Sequence, residues 1–315
     1  MNKRILIFGN GQIGNFYNEY FKTIGWKVLI SHADITKPIE VAQSIEQFMP
    51  TVVINTAAIT SLESCNENKL EAFKVNVLGA DNIAKECDKR KIYFIHFSSG
   101  CIFQSKNEYD AKVEEDVPDP AAFYSFTKVW SEKLIKFNKS NTFKYLILRP
   151  RQPISTKVHS KNMLVKMLTF TKLIDTPNTL TVIEDLLDWT KVLIEQDKTG
   201  VYHMANEGYT TPYKIGLLLE KYVIPDFTYE KISKQELDKL VPNKRVDTIL
   251  NVGKLKSVKG IVVKTCDERL DEVVKKLAQN IKNMPKEKLK QVLETTVDES
   301  KKRTTVNNAW KDLLT

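Results

Sequence analysis

A chain of 315 residues, 42% hydrophobic and 28% charged, can bury one large core or two modest ones without covalent staples. Its net charge of +9 is 48 basic against 39 acidic residues spread along the sequence with no long basic run, which argues against nucleic acid and leaves a solvated surface or an anionic small molecule. Cys65, Cys87, Cys101 and Cys266 form no CxxC pair, no signal peptide is visible, and no apolar run approaches the roughly 20 residues of a bilayer span, so the expectation is a cytoplasmic protein with no disulfide, no metal site and no membrane contact.

In chain order, apolar runs at 4–9, 27–30, 51–55, 93–98 and 145–149 read as strands. Between them, 12–24, 39–48, 68–89 and 122–137 repeat apolar residues at helical spacing, as in Leu70, Phe73 and Val77. This β-α-β order with nearly continuous Val/Ile/Leu strands predicts an α/β fold, a Rossmann-like doubly wound parallel sheet over residues 1–150. Beyond Pro150 prolines recur and helices are expected at 162–172, 183–195, 211–222 and 267–282. They suggest a smaller C-terminal substrate-binding lobe over 151–282, with some elements returning to the sheet. Residues 283–315 read as a charged helix, with Leu289, Val292 and Leu293 on one face, followed by a mobile tail or partner contact.

Ligands of such sheets sit at the carboxyl ends of the strands. "ILIFGNGQIGNFY" places Gly9, Gly11 and Gly14 as G-x-G-x-x-G between the first strand and the first helix, where free backbone N–H groups meet a pyrophosphate. Gly9, Asn10, Gly11, Gln12, Ile13 and Gly14 are therefore assigned to a dinucleotide. Asp34 lies 20 residues past Gly14, in the range of a ribose-binding acid, yet the second strand is expected to end at Ile30 with Ser31 and His32 at its tip. An acid at the tip would repel a 2′-phosphate. Its absence favours NADPH, with NADH as the alternative, and leaves Asp34 and its neighbour Ile35 to the adenine.

"FYSFTKVWSEKLI" sets Tyr124 and Lys128 four apart on one helix face. An ammonium near a phenol favours the phenolate, which would make the tyrosine a proton donor and acceptor near neutrality. Ser99 ends a strand 25 residues before Tyr124. In "FSSGCIFQ" (97–104), Ser99 and Cys101 are two apart and share one strand face if extended geometry continues through Gly100.

These pieces together resemble the extended short-chain dehydrogenase/reductase family, whose Ser/Thr, Tyr, Lys triad matches Ser99, Tyr124 and Lys128. "NTAA" (55–58) is similar to the family's strand end beside the cofactor, which implies cofactor contacts at Asn55, Ala57 and Ala58. Asn76 matches the family's lysine-supporting asparagine, while the glycine loop is one residue shorter than the usual extended form. "SGCIF", "LRPRQPIS" (148–155), "NMLVKM" (162–167), "NTLTVIEDLL" (178–187) and "RVDTILNVGKL" (245–255) resemble the nucleotide-rhamnose synthase epimerase/reductases, a branch related to dTDP-4-dehydrorhamnose reductase. The likeness covers about residues 3–282.

That resemblance implies a UDP-linked 4-keto-6-deoxyhexose substrate, proton exchange at C3 and C5 by Cys101 and Lys166, and NADPH-dependent reduction of C4 to a UDP-L-rhamnose-type sugar. Ser99, Arg151, Asn162 and Arg245 would bind substrate. Ser99 would hydrogen-bond the C4 oxygen and Tyr124 would protonate it, while Lys128 would tune the tyrosine and, with it, hold the nicotinamide ribose. A separate 4,6-dehydratase would supply the ketosugar, because the chain begins at the first strand with no room for a fused one, and a homodimer is the expected assembly. Two other readings stand beside this one. The first is an acetamido substrate giving a UDP-L-rhamnosamine-type sugar by 3-epimerisation and reduction; the second is a non-catalytic NADP-binding regulatory subunit.

Overall fold

In strand β1 (Arg4–Phe8), Ile5 and Ile7 enter one core while Leu6 and Phe8 enter another on the opposite face. Burial on both faces is what makes such a strand read as an uninterrupted apolar run. Further strands are β2 (Lys27–Ser31), β3 (Val52–Asn55), β4 (Tyr93–Phe97), β5 (Tyr145–Pro150), β6 (Pro153–Ile154), β7 (Lys172–Ile174), β8 (Thr181–Val182), β9 (Gly200–Met204) and β10 (Glu230–Ile232). The computed structural model describes residues 3–137, 140–241, 245–301 and 306–314.

Six strands form one parallel sheet in the order β2-β1-β3-β4-β5-β9. The order reverses at β1, so the carboxyl ends of β1 and β3 lie at the switch point where ligands of such sheets bind. Helices Gln12–Thr23 and Ile183–Glu195 cover one face, burying Tyr17, Phe21 and Trp189. Helices Pro38–Phe48, Ala80–Lys89 and Phe123–Lys136 cover the other, burying Val41, Ile45, Ile83 and Ile135. The chain leaves the sheet after β5 and returns for helix Ile183–Glu195 and β9, a short strand whose interspersed His203 hides its apolar pattern in the sequence.

The second core gathers helices Met163–Met167, Pro212–Tyr222 and Cys266–Lys282. The helix expected over 162–172 stops at Met167, because Lys172–Ile174 instead pairs in parallel with Glu230–Ile232, a partner far along the chain. Residues 286–301 form a helix, Lys286–Lys301, that is packed rather than free: Leu289, Leu293, Thr296 and Val297 are buried, at helical spacing, on this core. Beyond it Val306 bridges Phe170 and Trp310 is buried. The charged helix thus belongs to the lobe because its apolar stripe finds a partner, and of the mobile tail or partner contact expected after it, residues 302–305 lie outside the described residues while Val306 and Asn307 are joined to the lobe. No helix among the described residues is long and apolar enough to cross a membrane. Leu293→Ala should lower stability by about 2–5 kcal/mol, seen as a lower urea midpoint with an unchanged slope.

Candidate active site

After β1, Gly9 turns the chain with φ +109°, and a Cβ at Gly14 would lie 2.0 Å from the Gly9 carbonyl oxygen. These glycines let strand and helix converge. Gly11 is the N-cap of helix Gln12–Thr23, which has no side-chain cap and no acid in its first turn, and a Cβ there would meet open space. The helix start therefore keeps unclaimed N–H groups and its positive end. Beside it, Gln12 Nε2 is buried without a hydrogen-bond partner among the described residues. These donors fit the pyrophosphate of a dinucleotide. Asn10 is exposed and accepts from Asn15 Nδ2 at 3.1 Å, while Ile13 packs on the first core.

Where the adenine is expected, β2 runs one residue further than the sequence suggests, to Ser31, whose hydroxyl meets Ser44 Oγ at 2.7 Å. His32 is exposed, and no acid stands at the tip. Asp34 Oδ1 accepts from Thr36 N and Oγ1 at 2.9 and 2.7 Å, bonds that hold its carboxyl below the usual range and make it part of a local turn. Ile35 is buried against Gly79. Asn55, expected at the cofactor, is 1% exposed. It accepts from Ala57 N at 3.0 Å and lies 3.3 Å from His96 Nδ1, so it shapes the strand end while Ala57 and Ala58 stay part-exposed at the mouth.

Helix Phe123–Lys136 buries a polar face: Ser125, Thr127, Lys128, Ser131 and Glu132. Glu132 accepts from Arg149 Nε and Nη2 at 2.8 and 2.6 Å and from Ser98 Oγ at 2.5 Å. Burial pushes the Glu132 carboxyl up, but these partners outweigh it and hold it below its ordinary value. Sequence reasoning missed this pair, although Glu132 falls four residues past Lys128 on the face that carries Tyr124. Lys128, 3% exposed, donates to the Phe97 carbonyl at 2.8 Å and lies 5.8 Å from the Tyr124 ring centroid. Burial pulls its pKa down to about 8. Burial raises the Tyr124 phenol, and its hydrogen bond with Ser99 only partly offsets this. The lowering expected from Lys128 is outweighed by desolvation, which favours the neutral, proton-donating form of the phenol. Asn76 lies in a π-helical turn, Lys74–Gly79. It brackets the Ile59 backbone and donates to Thr127 Oγ1 at 3.0 Å, supporting the residue before Lys128 and not the lysine itself.

Ser99 is extended, but Gly100–Ile102 forms a 3₁₀ turn capped by Ser99 Oγ, which accepts from Cys101 N at 3.1 Å. The strand alternation expected through Gly100 is broken, and a turn rather than a pleat sets the thiol beside the serine. Arg151 Nη1 donates to Cys101 Sγ at 3.0 Å. Asn178 Oδ1 and the Val246 carbonyl, each 2.5 Å from Nη2, hold that guanidinium, while its Nε is buried without a partner among the described residues. Negative charge developing on the sulfur would face a cation that still has one N–H to offer.

Lys166 has no hydrogen bond to Cys101 among the described residues; its partner is Glu299, at 3.5 Å. Asn162, expected to bind substrate, spends its amide on Leu164 N and on the Ser155 and Lys157 carbonyls, and so caps the helix that carries Lys166. Arg245 pairs with Glu63 at 3.0 Å, linking the segment after 244 to helix Leu62–Glu67.

A parallel sheet whose order reverses at β1, a glycine loop at a helix start, and Ser99, Tyr124 and Lys128 together define a Rossmann-type protein of the short-chain reductase kind. More narrowly, the chain belongs to the RmlD substrate binding domain family, matched over residues 3–279. A bifunctional dTDP-4-dehydrorhamnose 3,5-epimerase/dTDP-4-dehydrorhamnose reductase of Arabidopsis thaliana is 28% identical over 80% of this chain and 86% of its own length. The structure of a UDP-rhamnose synthase from Acanthamoeba polyphaga mimivirus superposes with a TM-score of 0.81 and 24% identity over 88% of this chain and all of its own. A dTDP-4-dehydrorhamnose reductase from Bacillus anthracis, solved in complex with NADP, gives 0.76 and 20% over 88% of this chain and 99% of its own.

Because Lys128 is less basic folded than unfolded, its burial cost is present below pH about 8 and is relieved as pH rises towards the ordinary lysine value. NMR of the protein carrying ¹³C-labelled lysine should show one ammonium titrating near pH 8 that is missing in Lys128→Met.

Proposed function

We propose that the protein is an NADPH-dependent nucleotide-sugar 4-ketoreductase with 3,5-epimerase activity, converting a UDP-4-keto-6-deoxyhexose to a UDP-L-rhamnose-type sugar. The observation that carries this reading is the Cys101 sulfur, 3.0 Å from Arg151 Nη1, on the same turn as Ser99. It sets a proton-exchange group beside the pair that would polarise a ketone. NADPH as cofactor is supported by the acid-free tip at Ser31 and His32 and by the NADP complex of the Bacillus anthracis relative.

A C4 ketone acidifies the hydrogens on C3 and C5. Removing one leaves an enolate whose charge gathers on O4, where the Ser99 and Tyr124 hydroxyls donate. Return of a proton to the opposite face inverts the centre, so the step consumes nothing, and Cys101 and Lys166 serve as the exchanging pair. Bound NADPH supplies the hydride for C4. Tyr124, kept neutral by burial, gives its proton to O4 while Ser99 holds that oxygen. Lys128, largely charged below pH about 8, stabilises the phenolate left behind. The unpartnered Arg151 Nε is suited to an acceptor on the substrate. A ketone at C4 with a deoxy C6 requires a preceding internal dehydration, assigned to a separate 4,6-dehydratase.

Incubating the UDP-4-keto-6-deoxy-glucose intermediate with enzyme in D₂O, without NADPH, should place deuterium at C3 and C5; reduction without deuterium would remove the epimerase half. Cys101→Ala should slow exchange by about 10²-fold or more yet keep NADPH binding, as followed by NMR and cofactor fluorescence.

The working assembly is a homodimer. A groove of about 350 Å³ lined by Phe73, Phe123, Phe126, Thr127 and Trp130, with Trp130 and Leu70 exposed beside it, leaves an apolar patch on the outer side of the Tyr124 helix. Trp130→Glu should convert a dimer to a monomer in size-exclusion chromatography with light scattering.

A further inference from the structure

We propose that Glu299, on the C-terminal helix, is a positioning residue that aims the Lys166 ammonium for proton exchange, so that epimerisation depends on the C-terminal segment and ketone reduction does not. The inference rests on the role given to Lys166 above.

Lys166 sits on a helix of only five residues, Met163–Met167, too short to hold itself in water. Its start is secured by Asn162, and at its end Thr169 donates through both N and Oγ1 to the Lys166 carbonyl, at 3.0 and 2.7 Å. The C-terminal segment then grips that end. Asn307 N donates to the Thr169 carbonyl at 2.8 Å, Asn307 Nδ2 reaches the Thr228 carbonyl at 2.5 Å, and Val306 bridges Phe170. Leu293 and Val297 seat helix Lys286–Lys301 on the same core as Leu164 and Val165. That seating delivers the Glu299 carboxylate to 3.5 Å from Lys166 Nζ, with the two side chains 39% and 25% exposed.

A lysine carries its charge on a four-carbon stem with many rotamers, so a group that must meet a substrate hydrogen needs a fixed partner. Glu299 is such a partner, and it comes from beyond residue 279, where the family match ends. His159 lies within electrostatic reach of both Glu299 and Lys166, so the charges form one local cluster with Lys161 and Lys157 nearby. Partial exposure limits the expected effect to a modest factor.

The test uses the full chain as wild type, Glu299→Gln and Glu299→Asp. Deuterium incorporation at C3 and C5 of the UDP-4-keto-6-deoxy-glucose intermediate is followed by NMR, and NADPH oxidation is followed with an already inverted 4-keto-6-deoxy-L-sugar nucleotide. Glu299→Gln should slow exchange about two- to fivefold, Glu299→Asp should recover most of the rate, and NADPH oxidation should be unchanged in both. Equal exchange in wild type and Glu299→Gln overturns the proposal, as does an equal loss of exchange and oxidation, which would mark Glu299 as merely structural. Absence of deuterium with the wild type would instead overturn the epimerase reading, and this inference with it.

Discussion

The buried ion pair between Glu132 and Arg149 is the constraint on which the site depends. Both side chains are almost wholly withdrawn from water, and their two parallel hydrogen bonds tie helix Phe123–Lys136 to β5. Desolvating two charges is costly, and only complete pairing offsets it; losing one partner typically costs about 3–5 kcal/mol. With Glu132 anchored, the same helix face has no freedom to rotate. Lys128 must point at the Phe97 carbonyl, and Tyr124 must meet Ser99. The placement of Lys128 and Tyr124 is thus inherited from an ion pair one turn further along the same helix.

The groups proposed to react come from different parts of the chain. Ser99 and Cys101 come from the turn after β4, and Tyr124 and Lys128 from the next helix. Arg151 follows β5 and is held by Asn178 and Val246. Lys166 stands on the second lobe under the hold of Glu299. Low dielectric acts on these groups in opposite directions. It keeps Tyr124 protonated, as a donor requires, and brings Lys128 close to losing its charge.

Much of the sheet was legible because parallel strands buried on both faces leave unbroken apolar runs, as at Ile5–Phe8, and because a glycine loop before a helix has few other uses. The triad spacing was legible for the same local reason, since four residues make one helical turn. What stayed hidden depended on partners distant in sequence. The short strand at 172–174 needs β10, the helix at 286–301 needs the second core, and Arg149 needs a glutamate 17 residues earlier. Asn162 and Asn55 looked like ligand contacts because an amide's use is invisible until its neighbours are placed; both are consumed by backbone and ring atoms.

The amino-acid sequence by itself determined the layering of the sheet, the glycine loop at the first helix and the local spacing of the groups proposed to react, Ser99 with Cys101 and Tyr124 with Lys128. All of these are written in spacings of a few residues, within reach of local backbone geometry. Tertiary structure decided how they act. A 3₁₀ turn rather than a pleat brings Cys101 beside Ser99, a guanidinium from β5's end meets the sulfur, and a carboxylate from the last helix meets Lys166. Burial, which no spacing encodes, raises the tyrosine and lowers the lysine, because desolvation is a property of everything packed around a group and not of the group itself.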